Sequence, residues 1–268
     1  GMEGSGIIEE TGEEITKFKA NDEITFGAIG QGAFSDYVVL DERAVQLKPS
    51  NLTFEQAAAF QTAYLTAYVS LVRRGELTKG ETLLVHGSTG GVGMAAVQLG
   101  KYLGAKVIAT GTSEEKLKHT KSWGADHTIL THKEGKVEFR EEVKDLTDGK
   151  GADVIYDPVG GDVFDHSIRC INWGGRLLIV GFASGRIPTL PVNMALIKGF
   201  SVIGVRAGEY GRKNPLAGKE NNEAIREICE SGHFDPYICK VFNLNEAKEA
   251  IHYLSERKLI GKVVISTD

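Results

Sequence analysis

The chain has 268 residues, of which 36 are acidic and 31 are basic, so its formal net charge is −5. This length is sufficient for one or two domains with a buried core. No window approaches the roughly 20 uninterrupted apolar residues of a membrane span, and the start of the chain shows no signal-peptide pattern. The mild negative charge, without a long basic run, argues against nucleic-acid binding. The composition therefore predicts a globular protein with neither a membrane span nor a nucleic-acid partner.

Cysteine and glycine contents narrow the class further. The cysteines Cys170, Cys229 and Cys239 are too widely spaced for a CxxC motif or a disulfide framework, which is typical of a reducing compartment. Glycine supplies 33 residues, well above its usual share of about 7%. These counts exclude a disulfide scaffold and indicate a turn-rich α/β protein.

The first part of the chain, residues 1–65, alternates short β-like runs with turns. The runs are 6–8, 23–26 and 34–40, and glycines at Gly27, Gly30 and Gly32 break them. This texture predicts part of a small β domain.

Residues 66–205 repeat a unit of apolar strand, turn and helix. Strands are predicted at 81–86, 106–110, 127–130, 154–156, 177–180 and 201–205. Helices are predicted at 91–104, 113–123 (N-cap Ser113, C-cap Gly124), 137–146 and 163–173. Continuous apolar strands between helices predict a doubly wound parallel sheet with both faces covered. The last segment, 206–268, reads as irregular until a helix at 244–257 and a strand at 262–265.

The sharpest local motif, VHGSTGGVG, spans residues 85–93. Its glycines are spaced GxxGxxG between a strand and a helix, where they permit a tight turn, close approach of a pyrophosphate and close helix packing. The predicted dinucleotide contacts are Gly87, Ser88, Gly90, Gly91, Val92 and Gly93. An unliganded glycine turn is the alternative. A Walker motif fits worse, because it needs a lysine where Met94 stands, and the GxSxG frame of a hydrolase is absent.

The end of the second predicted strand distinguishes NADPH from NADH. NAD sites place an acidic residue there for the ribose 2′-OH, whereas this chain reads ATGTS over residues 109–113. The hydroxyls of Thr112 and Ser113 and the ammonium of Lys116 favour a 2′-phosphate, although Lys116 also reads as an ordinary surface lysine. We therefore predict NADPH as the coenzyme.

At this point the motifs match a known family. They are GMEGSG (1–6), AAAFQTAYLTAY (57–68), HGSTGGVG (86–93), GAD (124–126), DPVGG (157–161), GGR (174–176), VGF (180–182) and GKVV (261–264). With these, the chain resembles the zinc-independent quinone oxidoreductase branch of the medium-chain dehydrogenase/reductases over nearly its whole length. The resemblance implies a Rossmann domain at 66–205, a partial GroES-like catalytic domain at 1–65, and a C-terminal segment, 206–268, that returns to the catalytic domain.

The resemblance also bears on metal binding. Zinc-dependent relatives carry GHE, with a histidine ligand, where this chain reads Gly1-Met2-Glu3. A thioether is a poor Zn²⁺ ligand, and the cysteine-rich lobe of those relatives is absent between residues 30 and 60. The histidines, His86 among them, show no ligand spacing and read as surface or turn residues. We predict no metal site.

Further coenzyme contacts are implied by the resemblance alone. Thr66 matches a threonine near the nicotinamide, and Arg257 matches a basic position near the 2′-phosphate. The stretch Val180, Gly181 and Phe182 matches the loop that approaches the carboxamide. Thr131 stands where relatives often have a tyrosine that stacks on the adenosine. Thr66 could instead serve only in helix packing, and Arg257 could be an ordinary exposed residue at a helix end. Asp157 reads either as a coenzyme ligand or as a cap of the following turn.

The activity implied is hydride transfer from NADPH to a planar acceptor, either a quinone or an α,β-unsaturated carbonyl. The proton comes from solvent, from Tyr64 or from Tyr210, and Tyr64 and Phe182 are candidate walls for the acceptor. A 2-enoyl thioester reductase is the first alternative, with a phosphate-binding patch at Arg206, Arg212, Lys213 and Lys219. A non-catalytic NADPH-binding protein is the second alternative.

Relatives also suggest the assembly and the location. They pair through an edge strand, which Val202, Ile203 and Val205 fit, so we expect a homodimer. Relatives begin with additional strands before GMEG, so an incomplete β domain is expected to lower stability and catalysis. We expect a cytoplasmic location, and a mitochondrial one stays open because those preceding strands are missing.

Overall fold

The computed structural model describes residues 1–27, 32–133 and 135–267. Gly30, one of the predicted turn glycines, therefore lies outside the described residues. The chain forms two compact units, the first of residues 1–63 and 226–268 and the second of residues 64–225.

The secondary structure follows an α/β pattern. In chain order the strands are β1 (Glu3–Ile7), β2 (Glu23–Gly27), β3 (Val45–Leu47), β4 (Thr82–Val85), β5 (Lys106–Gly111), β6 (His127–Leu130), β7 (His132–Lys133), β8 (Lys136–Val137), β9 (Ala152–Asp157), β10 (Ile171–Ile179), β11 (Ser201–Gly204), β12 (Ile238–Asn243) and β13 (Lys262–Ser266). The α-helices are α1 (Phe54–Ala58), α2 (Gln61–Tyr68), α3 (Gly91–Tyr102), α4 (Glu114–Ser122), α5 (Arg140–Asp145), α6 (Gly161–Ser167), α7 (Val192–Lys198), α8 (Ala207–Lys213), α9 (Pro215–Glu230) and α10 (Ala247–Ser255). A π-helix, Val69–Arg74, follows α2, and short 3-10 helices lie at Glu42–Ala44 and Leu244–Glu246.

The second unit is built on a six-stranded parallel sheet with the order β11-β10-β9-β4-β5-β6. Its central strands β4, β5 and β9 are largely buried, as continuous apolar runs require when helices cover both faces. The chain order reverses between β4 and β9, and such a reversal opens a crevice at the carboxyl ends of the two strands. The predicted doubly wound fold is confirmed.

Local sequence explains two helices beside this crevice. Ser113 caps α4 by accepting a hydrogen bond from the backbone N–H of Lys116, and Gly124 follows the helix with a φ of 107°. Helix α3 buries an almost continuous run, including Met94 and Leu99, against the sheet. Both helices therefore begin and end close to the predicted positions.

One predicted strand is wrong, and two predicted helices are shorter than expected. Residues 34–40 form no strand, although the alternation is real: Tyr37 and Val39 are 79% and 86% exposed, whereas Val38 and Leu40 pack against the small core of the first unit. The helix predicted at 137–146 is shortened to α5, because Val137 pairs with His132 in a small hairpin. The helix predicted at 163–173 ends at Ser167, because the chain from Ile171 onwards pairs with β9.

The segment after residue 206 is more regular than predicted, since it contains α8 and the 16-residue α9. Helix α9 buries Asn221, Ile225 and Cys229, spaced four residues apart. A polar residue within the buried stripe weakened the apolar periodicity from which helices are predicted.

The first unit contains a three-stranded antiparallel sheet, β1-β2-β3, and a parallel pair, β12-β13. Its small core includes Ile24, Phe26 and Val45. A groove of about 980 Å³ opens in this unit, lined in part by β1, residues 33–40 and β13. Among the described residues, no helix has the length and apolarity to cross a membrane.

Candidate dinucleotide-binding site

The turn between β4 and α3 leaves no room for a side chain at Gly93. A Cβ atom added at Gly93 would lie 2.2 Å from the carbonyl oxygen of Gly87 and 2.7 Å from Cα of Ser88. Gly87 has a φ of 57°, which glycine adopts without strain. Gly90 is the N-cap of α3 and offers no side chain to the first N–H groups of the helix. Those N–H groups and the helix dipole form a binding site for an anion.

Ser88 fixes this turn onto the neighbouring strand. Its hydroxyl and its backbone N–H both donate to the carbonyl oxygen of Thr110, at 2.9 and 3.0 Å, and the residue is fully buried. Gly87, Gly90, Gly91 and Val92 are half-buried and remain accessible. The glycine turn thus presents backbone, and a contact of Ser88 with a coenzyme stays a prediction.

His86, just before the turn, is a core residue and not the surface or turn histidine predicted. The Ser167 hydroxyl donates to the Val163 carbonyl and so accepts from Nε2 of His86 at 2.8 Å. Nδ1 then accepts from the hydroxyl of Thr110, also at 2.8 Å. Complete burial lowers the pKa of His86 to about 3, so the ring is neutral at physiological pH and joins β4, β5 and α6.

The end of β5 carries the groups predicted to select the coenzyme. Thr112 is exposed, and Ser113 and Lys116 are half-buried at the start of α4. Glu114 and Glu115, the acidic residues of this first turn, are exposed. The strand end itself therefore presents hydroxyl groups and a lysine rather than a carboxylate.

Thr131 occupies the end of the adjacent strand. Its side chain is buried, and its hydroxyl and backbone N–H donate to the Gly111 carbonyl at 2.9 and 2.8 Å. It ties the end of β6 to β5, and it offers no flat surface on which an adenine could stack. Its contact with a coenzyme stays a prediction.

The third side of the crevice consists of residues 157–161 and the loop 180–186. The side chain of Val159 would lie 3.3 Å from a Cβ added at Gly87, so the first segment adjoins the glycine turn. On its other side, the ring of Phe182 would lie 3.0 Å from a Cβ added at Gly160. Phe182 is 41% exposed. The structure thus brings the predicted residues of 87–93 and 180–182 to one edge of the sheet.

Asp157 joins these segments, a role that the sequence left open. Its Oδ1 accepts from the N–H groups of Val159 and Gly160 at 2.8 and 2.9 Å, so of the two predicted roles the structure shows the cap. Burial raises the pKa of this carboxyl. The two hydrogen bonds lower the pKa, but by less than burial raises it. The motif DPVGG was the available indication, because an aspartate followed by two glycines is typical of a capped turn.

The predicted proton donors have different environments. Tyr64 is fully buried and its hydroxyl donates to Oε1 of Gln98 at 2.8 Å, so this side chain is part of the core and not a proton donor or an acceptor wall. Tyr210 lies half-buried in α8. Tyr210 therefore remains as the side-chain candidate named from the sequence.

Two further predicted contacts lie elsewhere on the chain. Thr66 is half-buried in α2, and its carbonyl accepts from the Ser70 hydroxyl at 2.6 Å, at the junction with the π-helix. Arg257 belongs to the first unit, where it is exposed, with a φ of 55°, after α10. The roles of both residues stay predictions.

Within residues 1–27, 32–133 and 135–267, no group of three or more His, Cys, Asp or Glu side chains is arranged to hold a metal ion.

The basic residues considered for a thioester carrier are partly neutralised. Arg212 pairs with Glu209 at 2.8 Å, and Lys219 lies 3.7 Å from Glu223.

A doubly wound sheet with a glycine turn at its point of reversal is the architecture in which many oxidoreductases bind dinucleotides. The sequence profile of the zinc-binding dehydrogenases matches residues 91–228. The quinone oxidoreductase-like protein 2 homolog of Nematostella vectensis is 39% identical over 100% of the chain and 73% of its own length.

Solved structures agree with this assignment. Escherichia coli quinone oxidoreductase complexed with NADPH is 27% identical, with a TM-score of 0.88 over 99% of this chain and 82% of its own. CurK enoyl reductase is 26% identical, with a TM-score of 0.86 over 99% of this chain and 78% of its own. The chain belongs to the quinone oxidoreductase family of the medium-chain dehydrogenase/reductases, which are oxidoreductases.

Proposed function

We propose that the chain binds NADPH in the crevice between β4 and β9 and reduces a quinone or an α,β-unsaturated carbonyl without zinc. The observation that carries the proposal is the contact of Gly93 with the backbone of Gly87 and Ser88, which brings the start of α3 directly behind the turn. A side chain at position 93 would push the turn away from the helix. The accessible backbone of Gly90, Gly91 and Val92 suits a pyrophosphate.

The coenzyme preference follows from the end of β5. A 2′-phosphate would meet the hydroxyls of Thr112 and Ser113 and the ammonium of Lys116, and a strand-end carboxylate would instead repel it. A charge-assisted contact contributes about 1.5–3 kcal/mol, which corresponds to roughly one to two decades of affinity.

This preference is tested by titrating NADPH and NADH into the wild type and two lysine variants. Lys116→Ala is expected to weaken NADPH by about tenfold or more and to leave NADH unchanged. Lys118→Ala, which removes an exposed lysine of the same helix, is the matched control and should change neither affinity. Equal affinities of the wild type for the two coenzymes would contradict the proposal.

When bound, the coenzyme supplies the hydride. Because such acceptors are already electron-poor, the protein mainly has to hold donor and acceptor about 3–3.5 Å apart and exclude water. Phe182, exposed beside the crevice, is a candidate wall for a planar acceptor. Solvent or Tyr210 then supplies the proton.

The reaction is tested by following NADPH oxidation with naphthoquinones, simple enones and enoyl thioesters. Turnover of quinones or enones that survives a zinc chelator is the expected result. Loss of activity on chelation, restored by zinc, would contradict the metal-free mechanism. NADPH binding without turnover of any acceptor would instead indicate a non-catalytic binding protein.

A 2-enoyl thioester reductase is the second candidate, favoured by the similarity to CurK enoyl reductase. The carrier of such a substrate bears phosphates, yet Arg212 and Lys219 already have acidic neighbours. Turnover of an enoyl thioester but not of a naphthoquinone would select this candidate.

We further propose that the chain forms a homodimer through β11. This strand lies at the edge of the sheet, and Val202 there and Leu196 on α7 are 37% and 82% exposed. An unpaired edge with apolar side chains is suited to pairing with a second copy. Light scattering should give the mass of a dimer and, for Val202→Lys, that of a monomer. A monomeric wild type would contradict this.

A further inference from the structure

Asp157 holds an unusual turn at the point where the chain order of the sheet reverses. Gly160 and Gly161 follow it with φ values of 67° and 57°, two consecutive residues in the left-handed region. The N–H of Gly160 and that of Val159 both donate to Oδ1 of Asp157, which is 1% exposed. This one oxygen therefore bonds two successive N–H groups of the turn and stabilises its left-handed backbone.

The loop 180–186 is in turn attached to residues 157–161. The backbone carbonyl of Asp157 accepts from the N–H groups of Val180 and Gly181 at 2.9 and 3.4 Å. The carbonyls of the next two residues, 158 and 159, accept from the N–H groups of residues 183 and 184, each at 3.0 Å. A displacement of the turn therefore displaces the loop that carries the predicted nicotinamide contacts.

The same turn touches the glycine motif, because Val159 packs beside Gly87. It thus stands between the predicted pyrophosphate site and the loop 180–186. The predicted 2′-phosphate site, with Lys116, lies at the end of β5, which β4 separates from β9 in the sheet.

We propose that Asp157 is a positioning residue for the nicotinamide half of the coenzyme, acting through the turn 158–161 and the loop 180–184. The inference rests on the proposed coenzyme binding. Only Oδ1 carries this role, because Oδ2 has no hydrogen-bond partner among the described residues. An asparagine preserves the acceptor that the turn needs, whereas an alanine removes it.

The experiment compares two variants at this position with a matched control. Thr147→Ala is the control, because the buried Thr147 hydroxyl accepts from the N–H of Gly151, also a left-handed glycine, at the opposite end of β9. Affinities are measured for NADPH and for adenosine 2′,5′-bisphosphate, which contains only the adenosine half of the coenzyme. Thermal unfolding is recorded for each variant.

Asp157→Ala is expected to weaken NADPH by about tenfold and to leave adenosine 2′,5′-bisphosphate unchanged. Asp157→Asn should bind both ligands like the wild type, because its side-chain oxygen still accepts from the N–H groups of residues 159 and 160. Thr147→Ala should lower Tm without changing either affinity. The inference is overturned if Asp157→Ala binds NADPH normally or if it loses affinity for both ligands equally. It is also overturned if Asp157→Asn loses as much NADPH affinity as Asp157→Ala.

Hydrogen exchange without coenzyme provides an independent measurement. In Asp157→Ala, the amides of 158–161 and 180–184 should exchange faster, while those at the end of β5 keep their protection. Unchanged exchange in the first two segments overturns the positioning role. If the wild type binds no NADPH, the proposed function fails, and the exchange result alone then decides the role of Asp157.

Discussion

The glycines of α3 provide a graded test of how closely the coenzyme turn is packed. In Gly93→Ala, the new Cβ would lie 2.2 Å from the carbonyl oxygen of Gly87, whereas ordinary contacts are at least 3.4 Å. The obstructing atoms belong to backbone on the neighbouring turn, so the turn and the helix must separate by about 1 Å. Overpacking of this kind costs up to about 3 kcal/mol, and the better helix propensity of alanine offsets about 1 kcal/mol of it. We expect a net loss of about 2 kcal/mol.

Two other glycines calibrate this value. A Cβ at Gly100 would meet Cδ2 of Leu83 at 2.4 Å. The Leu83 side chain is fully buried, but unlike backbone it can rotate away. Gly100→Ala should therefore lose less, about 1 kcal/mol. A Cβ at Gly208, in α8, would meet nothing within 4 Å. Gly208→Ala should be neutral or should stabilise the protein by about 0.4–1 kcal/mol.

Thermal unfolding and NADPH titration are the two measurements for this series. Gly93→Ala should have the lowest Tm and should lose at least about tenfold in NADPH affinity, because the displaced turn no longer aligns the first N–H groups of the helix. Gly100→Ala should keep its affinity. The reasoning is refuted if Gly93→Ala matches the wild type in both measurements, or if Gly208→Ala loses as much stability.

Three further outcomes are expected. Because burial lowers the pKa of His86 to about 3 from an ordinary 6.5, the unfolded chain gains a proton below pH 6.5 that the folded chain gains only near pH 3. The free energy of unfolding should therefore fall by about 2 kcal/mol between pH 6.5 and pH 5, a dependence that urea titrations should find reduced in His86→Gln. Tyr64→Phe removes one buried hydrogen bond and should lower the free energy of unfolding by about 1 kcal/mol. It should leave the pH profile of NADPH oxidation unchanged, and an altered profile would show that Tyr64 takes part in proton transfer. Arg176→Ala should lower stability by about 2 kcal/mol, since Arg176 donates to both carboxylate oxygens of Glu81 at 2.8 Å and to the Gly75 carbonyl at 2.9 Å. An Arg176→Ala protein with the Tm of the wild type would show that this pair is neutral.

Much of the second unit could be predicted from local patterns. The buried strands are short apolar runs bounded by glycine, and the helix after Ser113 carries its own cap and stop. The glycine turn was recognisable for the same reason, because the positive φ of Gly87 and the contact of Gly93 with Gly87 both arise within one β-turn-α unit. Interactions of this kind involve residues close in sequence, so the sequence records them directly.

Other features depend on partners that are distant in the chain. His86 reads as an ordinary turn histidine until β5 and α6 bring Thr110 and Ser167 to its two ring nitrogens. Tyr64 reads as a proton donor until Gln98, on another helix, accepts its hydroxyl hydrogen.

The same distinction separates the two parts of the candidate site. Composition and short-range spacing were sufficient to establish the fold class, the glycine turn and the absence of a carboxylate at the end of β5. The attachment of residues 180–184 to residues 157–159 could not be predicted, because hydrogen bonds between two loops depend on how β9 and β10 are paired. Strand pairing brings together groups more than twenty residues apart, and nothing in either segment alone specifies which backbone groups will meet.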